Sequence, residues 1–131
     1  MSKHCKIDGQ SINKLLDLLK HPINGIRQRA RVELSEHPSD KVLAATEKWV
    51  KQFDPKAKED AHHFLEALWL YQRNDTKNEA LLDQVLNSPE EHARISARTV
   101  KQFWDKNLYN QYQEKVLYPE LQDLYYHRYI P

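Results

Sequence analysis

The sequence predicts an all-α protein made of antiparallel helical hairpins, and three observations support this prediction. Apolar residues recur every three to four positions over most of the chain, which is the period of an amphipathic helix. The breaks between these segments are short and rich in Pro, Asn and Ser, so consecutive helices are expected to pack side by side. The 131 residues include only two glycines, which are too few for a β protein built on tight turns.

The first hairpin is predicted over residues 11–37. Its first helix is expected to begin after Ser11, because a serine hydroxyl can accept a hydrogen bond from an N–H group of the first turn. Pro22 interrupts this helix, and Asn24 is placed to cap the second one. Pro38 ends the second helix, since a residue that precedes proline is displaced from the α region.

The second hairpin is predicted over residues 39–73, with Ser39 as the N-cap of its first helix and a turn at Pro55. Its second helix, the fourth of the chain, has apolar side chains on nearly every side. A helix that is apolar all round is buried on several faces. We therefore expect the fourth helix to lie centrally.

The third hairpin is predicted over residues 78–104. Ser88 and Pro89 form a start signal for its second helix, because serine is a good N-cap and proline suits the first helical position. The six predicted helices cover residues 12–20, 26–37, 40–53, 57–73, 79–87 and 89–104.

Two segments flank the predicted helical domain over residues 11–104. Residues 1–10 are expected to be flexible. The tail over 105–131 holds six of the seven tyrosines, and we expect a helical cap that closes the last hairpin. The alternative is an exposed aromatic patch that docks a partner through Tyr125 and Tyr126. Pro119 divides the tail into two predicted helical stretches, 108–117 and 120–127.

The first and third hairpins match each other when the chain is shifted by 67 positions. The shared template is L-x-x-[LV]-L-x-x-P-x-x-x-x-R-x-x-A-R, which places Pro22 on Pro89 and Arg27 on Arg94. This pattern resembles HEAT repeats, whose second helix typically reads P-x-x-x-V-R-x-x-A-x-x-x-L. The resemblance implies a HEAT-like (ARM-like) right-handed α-α superhelix of three hairpins. The alternative is an ordinary antiparallel bundle with similar leucine spacing.

A longer string resembles the HEAT-repeat segment of large membrane-bound dehydrogenases with a c-type haem domain from Bacteroidetes and Planctomycetes. Its parts are H-P-x-N-x-x-R-x-R-A-R-x-E-L from His21, K-W-V from Lys48, H-H-x-L-E-A-L-W-x-x-Q from His62 and S-P-x-x-x-A-R-x-x-A-R from Ser88. The haem signature C-x-x-C-H is absent from this chain. The resemblance therefore implies a docking scaffold without a cofactor, from a larger exported or periplasmic protein.

Four arginines form i, i+4 pairs on the second helices of the first and third hairpins: Arg27 with Arg31, and Arg94 with Arg98. On stacked second helices they would form a basic stripe that binds an acidic partner. The alternative is structural pairing with nearby carboxylates, and we favour it because basic and acidic residues balance along the chain. The candidate carboxylates are Glu33, Glu36, Glu90 and Glu91.

His62, His63 and Glu66 lie within one turn of the fourth predicted helix and are weak candidates for a metal site. A structural zinc site needs four ligands, and no fourth partner is evident. The alternative is a partly buried histidine that makes a structural hydrogen bond.

The tryptophans Trp49, Trp69 and Trp104 are predicted to pack in the core. The functional alternative is a stacking platform for bases or sugars.

The expected function is therefore non-enzymatic docking to a protein or to neighbouring domains. A net charge of +1 lacks the basic footprint of a nucleic-acid binder. One cysteine excludes an internal disulfide. We expect no membrane insertion, and we find no apolar secretion signal at the N-terminus. Two alternatives stay open: a HEAT-like DNA-repair glycosylase module, and a metal-dependent enzyme using His62, His63 and Glu66.

Overall fold

The computed structural model describes the backbone of residues 9–116 and the side chains of residues 9–105. Every regular element in this part of the chain is helical, which confirms the all-α prediction. The chain divides into two units, Met1–Asp54 and Pro55–Pro131. None of the described helices is long and apolar enough to span a membrane.

The first unit contains α1 (Ile12–Leu18), α2 (Asn24–Leu34) and α3 (Ser39–Trp49), followed by a 3₁₀ turn over Val50–Gln52. Helix α1 packs against both α2 and α3. This packing is driven by its leucines, because burying one leucine side chain stabilises the fold by about 2 kcal/mol. Three leucines in and after α1 are fully buried: Leu15, Leu16 and Leu19.

The second unit contains a 3₁₀ turn over Lys58–Asp60, then α4 (Ala61–Arg73), α5 (Glu79–Leu86) and α6 (Glu91–Val116). Helix α4 packs against both α5 and α6, and α5 packs against α6. Nine of the 13 residues of α4 are buried and none is exposed, as its apolar sequence predicts. The predicted hairpin over 39–73 has one helix in each unit and stays a prediction.

The hairpins α1–α2 and α5–α6 are equivalent element by element. Their first helices begin 67 positions apart, and so do their second helices. Ser11 Oγ accepts a hydrogen bond from the Lys14 amide at 3.3 Å, and Asn78 Oδ1 accepts one from the Leu81 amide at 3.0 Å. These caps also lie 67 positions apart, so the self-match of the sequence is a match of structure.

Helix α2 begins two residues earlier than predicted, at Asn24, and its N-cap Ile23 makes no side-chain cap. The prediction that Asn24 caps the helix is wrong because its side chain has another partner. Asn24 Oδ1 accepts a hydrogen bond from Arg27 Nη2 at 3.2 Å. The amide oxygen thus holds a side chain of the same helix.

Helix α6 begins at Glu91, two residues later than predicted. Ser88 accepts a hydrogen bond from the Glu90 amide at 3.2 Å, so it shapes the loop before the helix. The Glu90 carboxylate is the cap, because it accepts from the Ala93 amide at 2.9 Å and the His92 amide at 3.1 Å. These two bonds, that from Ala93 first, lower the pKa of the Glu90 carboxyl below its ordinary value.

Helix α6 continues without a break to Val116. The predicted domain border between residues 104 and 105 therefore falls inside a helix, and a separate helix beginning at residue 108 is not formed. The reason lies in composition, because no proline or glycine occurs between Pro89 and Pro119. The rest of the predicted cap, with Tyr125 and Tyr126, and most of the N-terminal segment 1–10 lie outside the described residues.

Candidate functional site

Two of the predicted binding arginines hold the loop between the helices of their hairpin. Arg27 Nη1 donates hydrogen bonds to the carbonyl oxygens of His21 at 2.7 Å and Pro22 at 3.0 Å. Arg94 Nη1 donates to the carbonyl oxygen of Ser88 at 2.8 Å. Each arginine thus reaches back six residues to the residue that precedes the proline. We call this arrangement the Pro–Arg loop.

The residue before the proline contributes a second bond to each Pro–Arg loop. His21 Nδ1 accepts a hydrogen bond from the Ile23 amide at 3.1 Å, and Ser88 Oγ accepts one from the Glu90 amide at 3.2 Å. At equivalent positions, an imidazole and a hydroxyl therefore both accept a hydrogen bond from the amide two residues later. The two loops share a hydrogen-bond pattern although their residues differ.

The four predicted binding arginines have different environments. Arg27 and Arg94 are half-buried beneath their loops, and Arg31 is 5% exposed. Arg98 is the one of the four whose side chain is exposed. Arg94 bonds to a loop carbonyl where pairing with Glu90 or Glu91 was predicted. A binding role through all four arginines stays a prediction. Of the four side chains, that of Arg98 is the one most accessible to a partner.

The second helix of each hairpin exposes a face at equivalent positions. We call these the outer faces of α2 and α6. Each carries one large aliphatic side chain among uncharged polar ones, with Val32 at 47% and Ile95 at 49% exposure. The outer face of α2 consists of Gln28 and Val32, with Ser35 at the C-cap, and that of α6 consists of Ile95, Thr99 and Gln102.

A histidine and a glutamate of α4 form a close pair. His62 Nε2 lies 2.8 Å from Glu66 Oε2; the Glu66 side chain is fully buried, and that of His62 is 38% exposed. The edge of the His62 ring meets the ring of Trp69, with centroids 6.1 Å apart. His63, the next residue along the chain, is half-buried. No group of three possible metal ligands occurs among the described side chains. The arrangement joins a buried carboxylate to an imidazole that solvent reaches.

Of the three tryptophans predicted to pack in the core, two are buried and one is half-buried. Trp104 is 3% and Trp49 is 7% exposed, which confirms core packing for both. Trp69 is only half-buried. The apolar residues of α4 extend nearly all round the helix, so the sequence did not reveal which positions lie at its edge.

The packing of α1 on α3 creates a cleft of about 540 Å³, which the sequence analysis did not predict. The sequence analysis paired only consecutive helices, so it did not include the contact between α1 and α3 that forms the cleft. We call it the α1/α3 cleft. Its lining consists of Asn13 and Asp17 from α1, and Ala44, Ala45, Lys48 and Trp49 from α3.

The described residues thus present two equivalent Pro–Arg loops, two outer faces, a histidine–glutamate pair and a mixed polar cleft. Comparison with protein-family models, with curated proteins and with solved structures finds no match to this chain.

Proposed function

We propose that this chain is a non-catalytic helical-repeat module of the HEAT type that docks a protein partner or a neighbouring domain. The observation that carries the proposal is the equivalence of the hairpins α1–α2 and α5–α6, including their caps and loops. Helical repeats of this kind expose successive helix faces as extended binding surfaces. On the resemblance described above, the neighbouring domains belong to an exported haem-containing dehydrogenase.

The outer face of α6 and the exposed Arg98 beside it form the proposed contact surface in the second unit. Ile95 is an exposed aliphatic anchor, and the exposed Arg98 follows it one turn along the helix. Arginine and buried apolar anchors carry much of the energy of protein interfaces, while the polar residues around them exclude water. Arg94 supports this surface indirectly, because it holds the loop that precedes α6.

Site-specific crosslinking tests the proposal. A photoreactive phenylalanine analogue is placed at Ile95 of the full-length gene product in its own cells, and at Gln84, which is exposed on α5, as the control. We expect one protein or one segment of the same polypeptide to crosslink from Ile95 and not from Gln84.

The purified partner is then titrated against two variants. Ile95→Ala and Arg98→Ala should each weaken binding by about tenfold, whereas Gln84→Ala should not. If neither substitution changes the affinity for the partner, the proposed contact surface is contradicted. Submicromolar, salt-sensitive binding to duplex DNA would instead support the glycosylase alternative, and stoichiometric bound metal would support the metal-enzyme alternative.

A further inference from the structure

The α1/α3 cleft is lined by polar side chains from both of its helices and by two alanines of α3. Asn13 and Asp17 stand one turn apart on α1, while Lys48 lies on α3. Ala44 and Ala45 complete the lining from α3 with short apolar side chains, and Ala44 is exposed. A volume of about 540 Å³ falls within the range of pockets that hold small ligands or a few residues of a peptide.

One wall of the cleft is positioned by a buried tryptophan. Trp49 donates its indole N–H to Asp17 Oδ1 at 3.3 Å, and its ring packs edge to face with Phe53 at a centroid distance of 4.9 Å. Lys20 Nζ approaches the same oxygen at 3.8 Å. Both contacts fall on Oδ1, so Oδ2 of this carboxylate is the oxygen that the described residues 9–105 leave for a ligand.

The charges of the cleft complement a ligand that carries both signs. The Asp17 side chain is 63% exposed, and Lys48 on the facing helix is also exposed. A ligand with a single charge satisfies one wall and meets a like charge on the other. The Asn13 amide offers both a donor and an acceptor, which is what the N–H and C=O groups of a peptide backbone require.

We propose that the α1/α3 cleft binds a short peptide segment of a partner protein. The segment places a basic side chain on Asp17, an acidic side chain on Lys48 and small apolar atoms over Ala44 and Ala45. This inference rests on the proposed docking function and assigns it a second contact, in the first unit of the chain. The Trp49–Asp17 bond prepares the acidic wall, which reduces the ordering cost of binding.

Peptide selection tests the cleft directly. A random 12-residue peptide library displayed on phage is selected against the full chain, and individual peptides are measured by fluorescence anisotropy. We expect selected peptides to carry one basic and one acidic residue a few positions apart. Ala44→Phe, which fills the cleft at an exposed position, should weaken binding by about tenfold, and Lys51→Glu, on the 3₁₀ turn outside the cleft, should not.

Charge reversal provides a second variant that does not depend on filling the cleft. The double variant Asp17→Lys with Lys48→Glu should lose the selected peptides and should bind peptides in which the two charges are exchanged. Circular dichroism shows whether each variant is folded. Equal binding of one peptide to wild type, Ala44→Phe and the charge-reversed protein overturns the proposal, as does a selection with no enriched charge pair.

The outcome for the cleft is separable from that for the docking function. If the partner crosslinked from Ile95 binds Ala44→Phe and the charge-reversed variant as tightly as wild type, the cleft proposal fails and docking through α6 stands. If the cleft variants lose selected peptides while Ile95 finds no partner, the cleft stands and the proposed function of the outer faces fails.

Discussion

Arg27 and Arg94 occupy the same position in two hairpins, and each donates a hydrogen bond to the carbonyl oxygen six residues earlier, at 2.7 and 2.8 Å. In both cases the acceptor residue precedes a proline. A loop carbonyl between two helices has no regular backbone donor, and a buried one needs a partner. The guanidinium supplies that donor, so the arginine of the repeat template is a residue that shapes the loop.

Replacing Arg94 by methionine should therefore destabilise the protein. Arg94→Met keeps most of the aliphatic stem and removes the bond to the Ser88 carbonyl, which should lower the free energy of unfolding by about 1–2 kcal/mol. Urea denaturation followed by circular dichroism measures this change. Arg98→Met is the matched control, and it should change stability by less than about 0.5 kcal/mol because Arg98 is exposed. Equal effects of the two substitutions would contradict a special role for Arg94.

The cap of α6 should make stability depend on pH in a defined direction. The pKa of Glu90 is lowered in the folded protein, so its contribution is full above the unfolded pKa and is lost as the pH falls through the folded pKa. Glu90→Gln should cost roughly 0.5–1 kcal/mol at pH 7, and the difference from wild type should vanish at strongly acidic pH. Thermal melts of both proteins from pH 7 downward measure it. Glu91→Gln serves as the control, and a pH-independent difference would argue against the carboxylate cap.

The His62–Glu66 pair should show measurable coupling. A double-mutant cycle with His62→Ala and Glu66→Met should give an interaction free energy of about 0.5–3 kcal/mol, because Glu66 is buried and the atoms are 2.8 Å apart. The exposed pair Lys101–Asp105 has the same i, i+4 spacing at 2.7 Å. Its coupling should be smaller, since solvent and salt screen exposed charges. Equal coupling in the two cycles would show that burial does not strengthen the pair.

The buried amide of Gln72 should be a point at which the protein can be stabilised. Gln72 is fully buried, and within the described part of the chain neither Nε2 nor Oε1 has a hydrogen-bond partner. An unsatisfied buried amide is costly, so Gln72→Met, of similar size, should raise the free energy of unfolding by roughly 1 kcal/mol. Gln84→Met on the surface of α5 is the control and should be nearly neutral. A clear loss of stability in Gln72→Met would mean that a bound water satisfies the amide.

The sequence was sufficient to predict the features that depend on the spacing of apolar residues and on the residues that begin or end helices. The start of α5 at Glu79, the burial of α4 and the equivalence of two hairpins all follow from apolar spacing and from short-range signals. The predicted cap Ser11 is confirmed and is of this kind, because an N-cap bond joins residues only three positions apart. The Asn78 cap has the same spacing, although the sequence analysis did not predict it.

Other features depend on choices that composition does not reveal. Asn24 could cap a helix or accept from Arg27, and the two uses look alike in the sequence. The half-buried position of Trp69 depends on which edge of an entirely apolar helix remains uncovered. The α1/α3 cleft required a contact between helices that are not consecutive, which short-range patterns do not specify.

The bonds of each Pro–Arg loop join residues no more than six positions apart. A stretch of DNA that encodes one hairpin therefore encodes the whole loop, including the donors and acceptors of its hydrogen bonds. Duplication of such a stretch adds one helical hairpin together with its loop to the protein. Chains of this kind can change length by whole hairpins without inventing a new connection, and a chimera that exchanges residues 11–34 for 78–101 should inherit a working loop.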